Sequence, residues 1–172
     1  MKILGEKSLT SKVKVGLIIL FIIISIIDIS VIGIMIKTMK NIIQQNDVQT
    51  NIFNFILFTI IIITGIIALF IINNFIKIFE NLKNNELFSE KNSKRLNIIS
   101  NNCFILSGFY LIIGIFTILT ANNYLTKDLI NYIFIFSIIL MIIFIVAGIG
   151  IKILNEIYKK AIEFKEENDF TI

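Results

Sequence analysis

Four stretches of this chain, residues 15–36, 52–72, 103–121 and 132–151, run for 22, 21, 19 and 20 residues, and Asp28 is the only charge in any of them. A helix needs about 20 apolar residues to cross a hydrocarbon layer of about 30 Å. A backbone in lipid has no water to satisfy its N–H and C=O groups, so an isolated apolar run closes its hydrogen bonds internally as a helix. That holds even where Ile, a mediocre helix former in water, dominates the run. The expected fold class is therefore all-α: a polytopic membrane protein with four transmembrane helices and a helical C-terminal tail, in a single membrane domain over residues 1–172. Lys2, Lys7, Lys12 and Lys14 ahead of the first run give it the look of a signal peptide. The run is too long for one, and no small-x-small cleavage site follows it.

Charge placement sets the expected direction. The N-terminal tail carries four Lys, the middle loop (73–102) carries Lys77, Lys83, Lys91, Lys94 and Arg95, and the tail (152–172) carries Lys152, Lys159, Lys160 and Lys165. The other two loops hold only Lys37, Lys40 and Lys127. Thirteen of the 16 cations thus fall on one side and three on the other. The excess of Lys and Arg on cytoplasmic loops places both termini and the middle loop in the cytoplasm, in a plasma membrane. The two outer loops are short and polar.

Composition narrows the chemistry. The chain is 56% hydrophobic, against about 45–50% for a soluble domain. It has no His, no Pro and one Cys. A lone Cys forms no internal disulfide, and without His there is no Cys–His nucleophile and no metal site of the usual ligand types. Neither a phosphate loop nor any other catalytic constellation is visible, and "GIG" at residues 148–150 is not in a strand-to-helix turn. An enzyme is not expected, nor a cofactor. Cys103 reads as a small buried residue near the inner face. The abundance of Ile, Asn and Lys reads as codon bias of an AT-rich genome, so single Asn or Ile residues carry little weight.

On the inner side, the second helix is expected to run on to about Leu82. "KNNE" reads as a turn, and Ser89 with Glu90 reads as an N-cap with a favourable first-turn acid. A basic helix with Lys91, Lys94 and Arg95 then leads into the third span. In the tail, Leu154, Ile157, Tyr158, Ala161, Ile162 and Phe164 form a stripe at helical spacing to about Glu167, where Asn168 and Asp169 are expected to break the helix. Three uses of this tail stay open: packing on the middle-loop helix, lying on the inner membrane surface, or docking a cytoplasmic partner through Ile157, Ala161, Phe164, Phe170, Thr171 and Ile172 beside Lys91, Lys94 and Arg95.

Within the spans, Asp28 is costly: an ionised Asp at a bilayer centre is disfavoured by about 2.5–3.5 kcal/mol on insertion scales. No span offers a Lys or Arg to pair with it. It is therefore a neutral acid, or lines a wet cavity, or reaches the outer interface near Lys37 or Lys40. Ser25 shares its face, and Thr59, Thr64, Tyr110 and Ser137 lie at similar depth on the other spans. These six are candidates for ligand or proton binding, although the plainer expectation is that they are polar packing glue at about 0.6 kcal/mol each. Gly65 and Ala68, Gly108 and Gly114, and Ala147, Gly148 and Gly150 are candidate surfaces of close helix approach.

The loop pattern Phe88, Ser89, Glu90, Asn92 and Leu96 in "NNELFSEKNSKRLNIIS", and the tail pattern Glu166, Glu167, Asn168, Asp169, Thr171 and Ile172 in "EFKEENDFTI", resemble a bacterial membrane protein family catalogued as domain of unknown function 2975. The resemblance covers most of the chain in its four-span layout and about 20 residues in its motifs. It implies no established activity. It implies a genomic setting beside a small helix-turn-helix transcription regulator, and hence a cytoplasmic partner for the tail. The partners expected are the lipid bilayer and such a regulator, with a homo-oligomer left open. Direct nucleic-acid binding is not expected, because Glu80, Glu86 and Glu90 share the middle loop with its cations. The functional expectation is a non-enzymatic, regulatory membrane protein. The alternatives are a small proton-coupled transporter using Asp28 and a self-immunity protein against a membrane-active peptide.

Overall fold

A computed structural model of the chain describes residues 9–44, 48–83, 89–120 and 127–169. It is all-α, with α1 Leu9–Ile43, α2 Val48–Lys83, α3 Glu90–Thr120 and α4 Lys127–Asp169. Each helix is long and apolar enough to cross a membrane, as the four apolar runs require. All four exceed the runs that nucleate them. At 1.5 Å per residue, α1 is about 52 Å long and α4 about 64 Å, so both overhang a 30 Å hydrocarbon layer.

Local chemistry explains the ends. The α3 helix begins at Glu90, where Ser89 caps it: the Asn92 amide meets the Ser89 hydroxyl at 3.4 Å and the Ser89 carbonyl at 3.0 Å. Glu90 supplies the first-turn acid and bonds Lys94 at 3.2 Å, one turn on. The α2 helix runs to Lys83, one residue beyond its expected end. The tail differs more. The α4 helix continues through Asn168 to Asp169 rather than breaking there. Of the expected turn over residues 83–86, Lys83 belongs to α2, and residues 84–86, Phe88, and the tip residues Phe170, Thr171 and Ile172 lie outside the described residues.

Consecutive helices pack antiparallel, and the extensive contacts run in chain order: α1 on α2, α2 on α3, α3 on α4. Lys14 bonds Glu80 at 3.0 Å, Asn81 bonds Asn92 at 2.7 Å, and Ser93 bonds Asn155 at 2.8 Å. The start of α1, the end of α2, the start of α3 and the far part of α4 therefore share one end of the molecule. The even number of spans requires this. The main core lies towards that end, built on Ile71, Ile78, Leu96, Ile99, Cys103 and Leu106. A smaller core at the opposite end stacks Phe53 on Phe116 with ring centroids 5.4 Å apart, beside Ile130.

The helices are not equally enclosed. In its apolar window α3 is 33% buried and α1 only 6%. The only buried residues of α1 are polar: Thr10, Asp28 and Thr38. Most of its Ile and Leu side chains face outwards, which suits lipid and not water.

Candidate functional site

The expected polar layer is divided between two seams. On the α1–α2 seam, Asp28 is 7% exposed and lies directly against the backbone of Gly65, so that any side chain at position 65 would meet its carboxyl group. Its Oδ2 is buried without a hydrogen-bond partner. Thr59 lies farther along the same seam, its hydroxyl 3.7 Å from the Met35 sulfur. These pairings define one register, with Lys14 across from Glu80, Asp28 from Gly65 and Met35 from Thr59. Gly65 is 13 residues, about 20 Å, from the start of its own run at Ile52. Asp28 thus sits near the middle of the seam, away from Lys37 and Lys40, both exposed.

The neighbouring hydroxyls do not turn to it. Ser25 donates to the Phe21 carbonyl and Thr64 to the Ile61 carbonyl, each at 2.8 Å. Thr59 likewise bonds the Phe55 carbonyl at 2.8 Å. Tyr110 and Ser137 belong to the α3–α4 seam. The Tyr110 ring stacks on Phe144 with centroids 5.5 Å apart, and Ser137 donates to the Ile133 carbonyl at 2.7 Å beside Gly114. No hydrogen bond joins any two of the six candidates.

Two glycines open these seams. Gly65 admits the Asp28 carboxyl, and Gly148 lets α4 approach α3 closely: a Cβ there would lie 3.2 Å from the Phe104 ring and 3.3 Å from the Cys103 Cβ. The Gly148 carbonyl receives the Ser100 hydroxyl at 2.8 Å. Cys103 is buried at this crossing, as its size and composition suggest. Gly108 and Gly150, also expected at packing surfaces, face outwards: a Cβ added at either would have nothing within 4 Å.

At the end shared by the start of α1 and the far part of α4, the tail is tied down by polar groups, of which sequence reading had Asn92 only in the loop motif and Tyr158 only in the apolar stripe, and Ser93 and Asn155 not at all. Asn92 is wholly buried and accepts from the Asn81 amide at 2.7 Å while its own amide reaches the Tyr158 hydroxyl at 3.4 Å. Asn155, 1% exposed, accepts from Ser93. Tyr158 also packs on the main core. The tail therefore runs straight out of α4 and meets the start of α3 side by side.

That contact splits the expected stripe. Asn155, Tyr158 and Ile162 turn towards α3, while Leu154, Ile157 and Phe164 turn away, Ile157 and Phe164 at 61% and 64% exposure. Ala161 is half-buried. Lys91 and Lys94 are exposed and Arg95 half-buried. Glu90, Ser93 and Lys94 on α3 face Lys159, Ile162, Glu163 and Glu166 on α4 across a cleft of about 350 Å³. The Glu156 carboxyl beside it is held below the usual carboxylate range, chiefly by its hydrogen bond from Lys159 at 2.9 Å and that residue's charge.

A family model described as a protein of unknown function, DUF2975, matches residues 42–172. No curated protein and no solved structure matches the chain. The family match takes in α2, α3 and α4 and reaches only the last two residues of α1, so Asp28 lies outside it.

Proposed function

The chain belongs to the DUF2975 family, and from that premise we propose that it is a non-enzymatic, multi-pass inner-membrane protein that holds a cytoplasmic partner at the membrane through the far part of α4. The observation that supports this reading is the position of Phe164. The α4 helix continues 18 residues beyond Ile151, about 27 Å, with one side bonded to the start of α3 and the other carrying exposed Ile157 and Phe164. Phe164 stands 13 residues, about 20 Å, past the apolar run. The interfacial layer on each side of the hydrocarbon is only about 5–8 Å deep, and an ordinary tilt of about 20° shortens the reach little. Phe164 is thus beyond lipid, and an apolar face held rigidly in water suits protein contact. The charge bias supports a cytoplasmic setting, where a small helix-turn-helix regulator is the partner in view.

The test is to crosslink the full chain in its native cells and purify it, beside Ile157→Asp/Phe164→Asp. Both substitutions sit on the side away from α3, so insertion and folding should be unchanged. A small DNA-binding protein recovered with the wild-type chain and lost with the variant is the expected outcome. Equal recovery with both, or none with either, overturns the reading.

A further inference from the structure

Asp28 goes beyond the tail reading. It is 7% exposed, its Oδ2 has no partner, and the hydroxyls of Ser25 and Thr64 are committed to carbonyls of their own helices. We propose that Asp28 is a proton-binding site in the α1–α2 seam, and that the protonated carboxyl is the form in which α1 seats against Gly65.

The charges around it support this. On α1 the other charged residues are Lys12, Lys14, Lys37 and Lys40, and on α2 they are Lys77, Glu80 and Lys83. Lys14 is bonded to Glu80 at the far end of the seam. The nearest along α1 is Lys37, nine residues or about 14 Å away, and the nearest along α2 is Lys77, 12 residues or about 18 Å from Gly65. Among the described residues no cation is placed to neutralise a carboxylate, and α1 has no other extensive packing partner to bring one. The ligand must then be small. The carboxyl itself occupies the space over Gly65, which suits a proton as the ligand. The described clefts lie elsewhere, at the tail, along Tyr132–Ile139 and beside Lys127.

Occupancy and packing are linked. A neutral carboxyl tolerates the dry seam, whereas a carboxylate needs water, which at this depth reaches it only through a gap between α1 and α2; the charged form therefore favours an arrangement in which α1 parts from α2 far enough for water to enter. Raising the pH through the titration of Asp28 therefore loosens the seam, and lowering it seats α1. By reciprocity, anything that draws α1 away releases the proton. Thr10 and Thr38 are the only other buried residues of α1, so Asp28 is the one buried ionisable group along this seam of α1.

Two readouts test the proposal on the full chain in liposomes, with Cys103→Ser. First, spin labels at Lys40→Cys and Asn54→Cys, at one level of the seam, report α1–α2 proximity as dipolar broadening. Broadening should be strong at mildly acidic pH and fall at alkaline pH, and Asp28→Asn should keep it strong at both. An unchanged wild-type signal, or an equal pH response in Asp28→Asn, overturns the coupling. Second, a lipid-soluble carbodiimide labels protonated carboxyls. The acid proton passes to a carbodiimide nitrogen while the carboxyl oxygen bonds the central carbon, and the adduct rearranges to a stable acylurea. The label should appear on Asp28 of the otherwise unsubstituted chain and be lost at alkaline pH. No label on Asp28 at any pH overturns the proton site, and this readout stands even if Asp28→Asn fails to fold.

Discussion

Asn155 lies in a stretch of α4 that reads as charged helix, yet it is buried and takes the Ser93 hydroxyl at 2.8 Å. A buried polar group that loses its partner costs about 1–3 kcal/mol, whereas removing both partners together costs less. Ser93→Ala and Asn155→Leu should therefore each lower stability in detergent by about that amount, and the double substitution should cost clearly less than their sum. Denaturant unfolding of the wild-type chain and the three variants measures this, and strict additivity would show that the bond joins nothing. The residue scale is also where sequence reading was weakest. Asn92 stood out only through a family resemblance, and Asn155 did not stand out at all, because the chain's general richness in Asn hides individual ones. A signal was present: Asn155 follows Ile151 by one turn and precedes Tyr158 by another, on the face that packs against α3. Asp28 was conspicuous as the only charge in a span. Its pairing with Gly65 was not, since no local pattern sets the register between two helices.

Helix number and approximate placement followed from apolar run length alone, because lipid leaves an apolar segment one backbone solution. The Ser89 cap followed from side-chain chemistry. What ran past the expectation were the ends. Outside the hydrocarbon the helix competes with water, and α4 is carried beyond Asn168 while its inward side is supported by Asn155 and Tyr158 on α3. The six-residue polar layer was misjudged for a related reason. Residues at equal depth share a level, not a seam, and Thr59 and Tyr110 face different neighbours. The α3–α4 seam depends on Gly148, whose missing side chain lets Ser100 reach its carbonyl. Gly148→Leu would drive a branched side chain into Phe104 and Cys103, at a cost of about 1–3 kcal/mol by overpacking. The expected outcome is a lower unfolding midpoint in detergent and loss of the Tyr110–Phe144 stack, read from tyrosine fluorescence. A midpoint equal to that of the wild-type chain would mean that the helices do not meet there as closely as 3.2 Å implies.

Across the whole molecule, the two cores and the family match mark the same boundary. Both cores are built from α2, α3 and α4, and the match covers residues 42–172. The α1 helix adds no buried apolar residue. Its attachment rests on packing along α2, the Asp28–Gly65 contact and a Lys14–Glu80 pair in which Glu80 is half exposed, and a solvent-exposed pair of this kind is worth at most about 1 kcal/mol. The molecule should therefore behave as a three-helix unit with a weakly held fourth helix. A protease site placed between Gln44 and Val48 and cut in mild detergent, after insertion, leaves every span in its proper direction. The α1 fragment should then separate on gel filtration, while the α2–α4 fragment unfolds within about 4 °C of the uncut protein. A cut between Lys83 and Ser89 should not release α2, because Asn81 and the Ile71–Leu106 core bind it to α3. Retention of α1 after the first cut would mean that lipid-facing packing on α2 is stronger than its polar contacts suggest. If Asp28 holds the proton proposed for it, the first cut should release α1 more readily as the pH rises, because the carboxylate has no partner in the dry seam and favours a gap between α1 and α2 that admits water.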